Sequence, residues 1–363
     1  MSLVKNYNFI DKALHYLAFS VPGIQSLFAD LEDDIYKKSL TKVNLSNEVF
    51  ITGLPRSGTT LLLDFLYKTD EFCTFSYRHM PFILSPLLWK KVTKPFSKES
   101  VDIERAHGDG MKVSFDSPEA FEEVIWLNYL KKQYVDADRI RPLSTKTTSK
   151  KFALHLRSTI KKLVIENNNT ELEGEQKRYI SKNNLNISRI EVIKRLFPSA
   201  KILIPFREPL SHVGSLMKQH RQFCEMHADD SFSRKYMQWL GHYDFGENFK
   251  PIDFDNWLIN YTGSINYKDE NFWLSYWIAV YSNMAKNISD NAYLVDYNKL
   301  LVDPENCFAS IAKILDLRNQ PAFLKFAKDI RKPTSQPKSS SSVNKDLYDQ
   351  ANELYVKLKR LSI

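Results

Sequence analysis

The segment VFITGLPRSGTTLL, residues 49–62, decides the fold of this 363-residue chain. Apolar residues lead into Gly53, and Gly58 follows five positions later and opens an apolar helical run. The pattern predicts a strand, a glycine-bounded loop and a helix, an arrangement that turns several backbone N–H groups toward one anion. A nucleoside-triphosphate loop of this kind carries lysine directly after the second glycine. This chain has Thr59 there, and its nearest cation is Arg56, inside the loop.

Composition and charge limit the kinds of protein the chain can be. With 43% hydrophobic and 13% aromatic residues, it can bury a large core. The net charge of +8 favours an anionic partner, but the basic residues form no long run and do not indicate nucleic-acid binding. No stretch reaches the roughly 18 apolar residues that a membrane span needs. We expect a soluble cytoplasmic protein with no membrane span; its oligomeric state is left open.

The cysteines and histidines indicate no metal site. Cys73, Cys224 and Cys307 are few, odd in number and far apart, and no CxxC pair is present. The eight histidines are scattered, without a spaced pair beside carboxylates. We therefore expect buried thiols in a reducing compartment and no metal.

Strand and helix patterns alternate along most of the chain, which predicts an α/β fold with a central parallel sheet and helical crossovers. Beyond the opening segment, strands are predicted in KRYISKNNLN, SAKILIPF and AYLVDY, each followed by a helix. A further helix is predicted over residues 117–130, with Ser117 as N-cap, Pro118 in the first turn and Glu119 near its positive end.

Several of these stretches together resemble the sulfotransferases that use 3′-phosphoadenosine 5′-phosphosulfate (PAPS). PRSGTT resembles the 5′-phosphosulfate loop of that family, and FREPLSHVGS resembles its 3′-phosphate site, an arginine after a strand with a serine eight positions later. Lys182 stands at the usual K-x-P lysine, and YLVDYNKLLVDPEN resembles the late strand and helix. The chain departs from the family at Asn183, Asn184 and Asn298. We expect a different turn at Asn183 and Asn184, and the effect of the three departures on activity is left open.

The resemblance implies a P-loop NTPase-like, three-layer α/β sulfotransferase fold with helical insertions, as one domain over residues 1–363. Its expected units are an N-terminal helical segment at 1–46, a 5′-phosphosulfate loop unit at 47–84, an acceptor-side insertion at 85–176, a 3′-phosphate-binding unit at 177–220, an aromatic acceptor-side segment at 221–290, and the last strand with C-terminal helices at 291–363.

The resemblance also implies PAPS as co-substrate, adenosine 3′,5′-bisphosphate as product and no metal. Sulfuryl transfer asks the protein to position two groups and to stabilise developing charge. Arg56 is the candidate for charge on the bridging oxygen, and Arg207 suits bidentate phosphate binding. The residues expected to hold the donor are Pro55, Arg56, Ser57, Gly58, Thr59, Thr60, Arg207 and Ser215.

A hydroxyl acceptor needs a base, and three candidates stay open. His107 lies in the polar stretch ERAHGDG beside Asp109, which is suited to orient it. His79 lies in EFCTFSYRHMPFIL, residues 71–84, a stretch predicted to form a short strand and a turn. Glu119 is the third, with helix stabilisation as its alternative role.

The acceptor is expected to be a carbohydrate hydroxyl, with small aromatic alcohols and lipid-linked sugars open. The aromatic stretch WLGHYDFG, residues 239–246, is a candidate for the acceptor site, whereas Trp273, Trp277 and Tyr281 have the spacing of a helix core. Two other functions remain: a P-loop kinase or NTPase using Asp296 on Mg²⁺, and a non-catalytic binder of nucleotide or sulfated glycan.

Overall fold

The computed structural model describes residues 7–21, 23–93, 103–104, 112–113, 117–168, 176–263, 265–288, 290–330 and 343–363. Over this part of the chain, five strands form one all-parallel sheet in the order β2-β5-β1-β6-β7. Their bounds are Val49–Ile51 (β1), Phe72–Cys73 (β2), Arg178–Lys182 (β5), Lys201–Phe206 (β6) and Ala292–Asp296 (β7). A separate antiparallel pair joins Ile103–Glu104 (β3) to Lys112–Val113 (β4).

Helices connect the strands and cover both faces of the sheet. Their bounds are Phe9–Ser20 (α1), Ile24–Ile35 (α2), Lys37–Leu40 (α3), Thr59–Tyr67 (α4), Pro86–Thr93 (α5), Glu123–Tyr134 (α6), Lys150–Asn167 (α7), Ile190–Leu196 (α8), Pro209–Asp229 (α9), Ser231–Trp239 (α10), Trp257–Asn260 (α11), Glu270–Asn287 (α12), Tyr297–Val302 (α13), Pro304–Ile314 (α14), Gln320–Lys325 (α15) and Lys345–Leu361 (α16). Short 3-10 turns cover Tyr77–His79 and Asn184–Arg189. The predicted α/β fold with a parallel sheet is confirmed.

The predicted helix over residues 117–130 begins six residues later than expected, at Glu123. Ser117 is not its N-cap; instead Pro118 forms an antiparallel bridge with Ser76 beyond β2. The amide of Glu119 donates to the Phe75 carbonyl at 3.0 Å. This backbone pairing beyond β2 overrides the local helix-start signal, because it satisfies the Glu119 N–H that the expected helix start would have left to a cap.

The core lies on both faces of the sheet because successive strand residues point to opposite sides. Phe50, Tyr179 and Ile202 pack against one helical layer. Val49 and Ile51 pack with Leu62, Leu66 and Phe308 in the other. Trp273, Trp277 and Tyr281 are fully buried, as their helical spacing predicts. The Cys73 and Cys307 thiols are buried and Cys224 is half-buried.

The carboxyl ends of the parallel strands meet at one edge of the sheet, where α/β proteins of this kind bind ligands. The loop after β1 lies between the chain leaving β5 and the chain leaving β6, since β1 pairs with both strands. This edge therefore gathers the segments that carry the predicted site. Across the described ranges, no helix has both the length and the apolarity that a bilayer crossing demands.

Candidate functional site

The loop between β1 and α4 has a backbone that glycine makes possible. Gly53 has φ 154° and Gly58 has φ 101°. A Cβ on Gly53 would lie 2.9 Å from the Pro205 carbonyl oxygen, and one on Gly58 would lie 2.7 Å from the Tyr297 ring. Both positions therefore need glycine for conformation and for space. The loop passes close to Pro205 in β6 and to Tyr297 after β7, and it leads directly into the N-terminus of α4.

Arg56 and Ser215 come together although they are 159 residues apart in sequence. The Arg56 Nε donates to Ser215 Oγ at 3.3 Å. Arg56 has φ 70°, a left-handed conformation that is uncommon for a residue with a side chain. This contact brings the loop after β1 against α9, which follows β6.

Arg207 directly follows β6 and lies near Arg56. Its guanidinium carbon lies 5.5 Å from the centroid of the Tyr297 ring, the ring that also packs on Gly58. Burial lowers the pKa of Arg207, and the nearby positive charge of Arg56 acts in the same direction. An anion between two guanidinium groups would relieve this mutual repulsion. Arg56 thus contacts Ser215 and lies close enough to Arg207 for their charges to interact.

His212, on the buried face of α9, holds the loop between β1 and α4 through a hydrogen bond. Its Nε2 donates to the Pro55 carbonyl at 2.8 Å, and its Nδ1 accepts from Trp277 Nε1 at 3.2 Å. Indole N–H is only a donor, so Nδ1 carries no proton and the ring is neutral. Burial lowers the pKa of His212 to about 3. His212, Trp277 and Tyr297 were not among the predicted site residues. Only Tyr297 had a signal in the sequence: it directly follows the last predicted strand, at the edge of the sheet where the site was expected.

The threonines at both ends of the loop bind the turn after β5. Thr52 Oγ1 donates to the Asn184 carbonyl at 3.1 Å, and Thr59 Oγ1 donates to Asn184 Oδ1 at 3.3 Å. Ser57 Oγ donates to the Leu54 carbonyl at 2.7 Å within the loop. These hydroxyl groups shape the loop in this structure, and the backbone N–H groups at the start of α4 are further donors for an anion.

A buried polar network holds the turn after β5. The Arg189 guanidinium is fully buried, pairs with Glu123 on α6 and lies 3.8 Å from the Trp126 ring centroid. Glu123 also accepts from Asn183 Nδ2 at 2.7 Å. Neighbouring Glu122 accepts from Tyr179 Oη at 2.7 Å. The predicted departure at Asn183 therefore supplies a hydrogen bond and a turn cap rather than a defect, since Asn183 Oδ1 also accepts from the Leu185 amide.

Glu119 faces the same edge of the sheet. Its carboxylate accepts from Tyr77 Oη at 3.2 Å and from the Ala120 amide at 2.9 Å. Because Glu119 precedes α6, helix stabilisation is not its role. Its charge also acts on the His242 ring. Burial lowers the pKa of His242 first, Asp244 and Glu119 oppose that effect, and Lys182 adds to it. His242 is a further polar residue at this edge that the base search did not include.

Both ring nitrogens of His79 are hydrogen-bonded to neighbouring parts of the fold. Its Nδ1 accepts from the Ser76 amide at 2.8 Å, and its Nε2 donates to Glu166 on α7 at 2.8 Å. Burial alone would raise the pKa of Glu166, but the His79 hydrogen bond and the Lys90 ammonium hold it below its usual range. Both ring nitrogens therefore fasten the turn after β2 to α7. His107 lies outside the described residues.

Asp296, the acid that a kinase would need, caps a helix. Its Oδ1 accepts from the Asn298 amide at 2.9 Å and from Tyr355 Oη at 3.4 Å. Burial raises the pKa of this carboxyl group. In the described ranges, no group of three or more His, Cys, Asp or Glu side chains is arranged to hold a metal ion.

The fold and this site define an α/β protein with a glycine-bounded loop at the carboxyl edge of a parallel sheet. The profile of the Sulfotransferase family matches residues 48–258, more than half of the chain. The chain belongs to the sulfotransferase family. No curated protein sequence matches it.

Solved sulfotransferase structures are similar at low identity. One from Mycobacterium tuberculosis has 12% identity and a TM-score of 0.48, covering 91% of this chain and 81% of that one. Another from Mycobacterium avium has 11% identity and a TM-score of 0.44, covering 91% and 80%. A third, from Alicyclobacillus acidocaldarius, has 12% identity and a TM-score of 0.38, covering 88% and 96%.

Two neutral histidines on α9 hold the segment after α10, which predicts a pH dependence of stability. His220 Nδ1 accepts from the Gly246 amide, and His227 Nδ1 accepts from the Glu247 amide, both at 3.2 Å. Burial lowers each pKa from 6.5 to about 4. The unfolded chain therefore takes up protons first as the pH falls, so the stability is complete above pH 6.5 and is lost between 6.5 and 4.

We expect the free energy of unfolding to fall by up to about 1.4 kcal/mol per pH unit for each of these histidines. Urea unfolding at a series of pH values measures the slope. The matched control is His220→Asn with His227→Asn, because an amide oxygen accepts the same N–H without titrating. An unchanged slope in this double variant would show that the two histidines do not set it.

Proposed function

We propose that this chain transfers a sulfuryl group from PAPS to an acceptor hydroxyl and leaves adenosine 3′,5′-bisphosphate. The contact between Arg56 and Ser215 is the observation that carries the proposal. It joins the two stretches that resemble the 5′-phosphosulfate loop and the 3′-phosphate site. Arg207 beside Arg56 supplies a second cation for a doubly phosphorylated nucleotide.

The loop fits the phosphosulfate end of such a donor. Gly53 and Gly58 keep side chains out of the cradle, and the backbone N–H groups of Gly58, Thr59 and Thr60 start α4, where an anion is stabilised. In the transfer, the bond between sulfur and the bridging oxygen breaks as the acceptor oxygen bonds to sulfur. Arg56 is assigned to the negative charge that develops on the bridging oxygen. Arg207 and Ser215 are assigned to the 3′-phosphate.

Glu119 is the base that the geometry favours for the acceptor proton. Its carboxylate acts on the His242 ring and accepts a hydrogen bond from Tyr77, which orients it. His79 is fastened at both nitrogens to Ser76 and Glu166, which leaves its ring without a nitrogen for the acceptor. His107 stays a prediction.

Tyr77, the half-buried tyrosine bonded to Glu119, supports a carbohydrate acceptor. Tyr236 is buried beside it, with 1% exposure, and packs against Tyr7 with ring centroids 5.9 Å apart. Tyr77 packs edge-on against Phe121 at 5.0 Å. Tyrosine offers an apolar face and a hydrogen-bonding hydroxyl, a combination that suits a sugar ring.

Incubation with ³⁵S-labelled PAPS and two acceptor panels, oligosaccharides and phenols, tests the proposal. We expect label on oligosaccharide hydroxyls, and loss of transfer in Glu119→Gln but not in the exposed-acid control Glu191→Gln. Label only on phenols would contradict the acceptor class. Donor binding without transfer to either panel would favour a non-catalytic binder.

A further inference from the structure

Asn184 lies where the donor loop, the turn after β5 and the aromatic segment after α10 meet. Its side chain is buried, with 6% exposure. The Oδ1 accepts from Thr59 Oγ1 at 3.3 Å, and the Nδ2 donates to Asp244 Oδ2 at 2.8 Å. A carboxylate only accepts and a hydroxyl has one proton to donate, so these two partners fix the orientation of the amide.

Asp244 belongs to residues 241–248, hereafter the acceptor segment. This segment is held to α9 through the amides of Gly246 and Glu247, which donate to His220 and His227. On its other side, the Asn184 amide is a direct hydrogen-bond link to the loop that starts α4. One side chain therefore spans the distance between the donor loop and the acceptor segment.

The Thr59 hydroxyl makes this link sensitive to the donor. Its single proton goes to Asn184 Oδ1 in this structure. A phosphate oxygen at the loop competes for the same proton, because one hydroxyl proton serves one strong acceptor at a time. A change in the Thr59 bond alters how firmly the Asn184 amide holds Asp244.

We propose that Asn184 is a positioning residue that couples occupancy of the donor loop to the ordering of the acceptor segment through Asp244. This inference rests on the proposed function, because it takes the donor to be an adenosine phosphosulfate. The coupling is reciprocal, so ordering of the acceptor segment changes donor affinity by the same factor. Asn184 does not touch the reacting atoms; it acts through Thr59 and Asp244.

Amide hydrogen exchange of the full chain, with and without saturating adenosine 3′,5′-bisphosphate, tests this coupling. In the unaltered protein we expect exchange in residues 241–248 to change about 5-fold or more on binding. Asn184→Asp faces Asp244 with a second carboxylate, and we expect that response to disappear while the nucleotide still binds. The readout needs no identified acceptor.

The reversed pair provides the matched control. In Asn184→Asp combined with Asp244→Asn, the amide at 244 donates to the carboxylate at 184, which still accepts from Thr59. We expect this double variant to recover the exchange response, which a purely structural loss would not do. A response that persists in Asn184→Asp, or fails to return in the folded double variant, overturns the inference.

The outcomes separate this inference from the proposed function. If calorimetry detects no binding of the bisphosphate to the unaltered protein, the proposed function fails. If the nucleotide binds and residues 241–248 exchange unchanged, the coupling through Asn184 fails and the proposed function stands.

Discussion

Replacing Arg56 by alanine is expected to lower the turnover of sulfuryl transfer by about 10²–10³-fold, the usual effect of removing one group that stabilises transition-state charge. Arg56 has a left-handed backbone within the loop and donates to Ser215 Oγ at 3.3 Å; its role at the bridging oxygen is the proposal that this variant tests. Its effect belongs mainly to kcat, because charge on the bridging oxygen develops during the reaction rather than on binding. Steady-state kinetics with PAPS and the best acceptor found in the panels gives both constants.

Arg56→Lys is the matched variant for this prediction. Lysine keeps the positive charge but loses the planar donor set that reaches Ser215. We expect it to retain more turnover than Arg56→Ala. A kcat that stays within a few fold of the unaltered value in Arg56→Ala, with the protein folded, would contradict the assignment of Arg56 to the leaving group.

The largest expected effect on stability comes from Glu123. In Glu123→Ala the fully buried Arg189 guanidinium loses the carboxylate it pairs with, and breaking a buried ion pair by removing one partner costs about 3–5 kcal/mol. Asn183 also loses its acceptor, so we expect the turn after β5 to loosen with it. Urea unfolding measures the change in the free energy of unfolding.

Two further variants make this prediction sharp. Asp64→Ala removes an exposed pair with Lys68, at 2.7 Å, and is expected to cost about 0–1 kcal/mol. Glu123→Leu combined with Arg189→Met removes both buried charges, and we expect it to be more stable than Glu123→Ala. A cost for Glu123→Ala as small as that for Asp64→Ala would show that the buried pair does not hold the turn.

Much of the fold could be predicted from the sequence because its signals are local. The strand, glycine loop and helix from Val49 to Tyr67 are each determined by consecutive residues. The alternation of strand and helix patterns along the chain predicted the parallel sheet. The predicted helix start at Ser117 was wrong because the interaction that decides it is distant in sequence. Pro118 pairs with Ser76, 42 residues earlier. Glu119 and Tyr77, which are hydrogen-bonded, are also 42 residues apart.

The residues of the candidate site could be predicted where they lie together in a short sequence motif. Arg56, Arg207 and Ser215 were named from two short stretches, and the structure brings them together. His212 could not be named, because its role depends on Trp277, 65 residues away, and on the Pro55 carbonyl. His79 was named for its place after a strand, yet its setting depends on Glu166, 87 residues away. Asn184 was noted only as a departure, since its partners come from two other segments.

Calorimetric titration with adenosine 3′,5′-bisphosphate, beside ATP with Mg²⁺, tests the central claim most directly. The titration compares the unaltered protein with Arg207→Ala and with Arg221→Ala, a control that removes an exposed arginine from α9, the helix that follows Arg207. We predict that the bisphosphate binds the unaltered protein and Arg221→Ala alike, and that binding is lost in Arg207→Ala. No binding of the bisphosphate, or a preference for ATP with Mg²⁺, would contradict the assignment of this site to a PAPS-type donor.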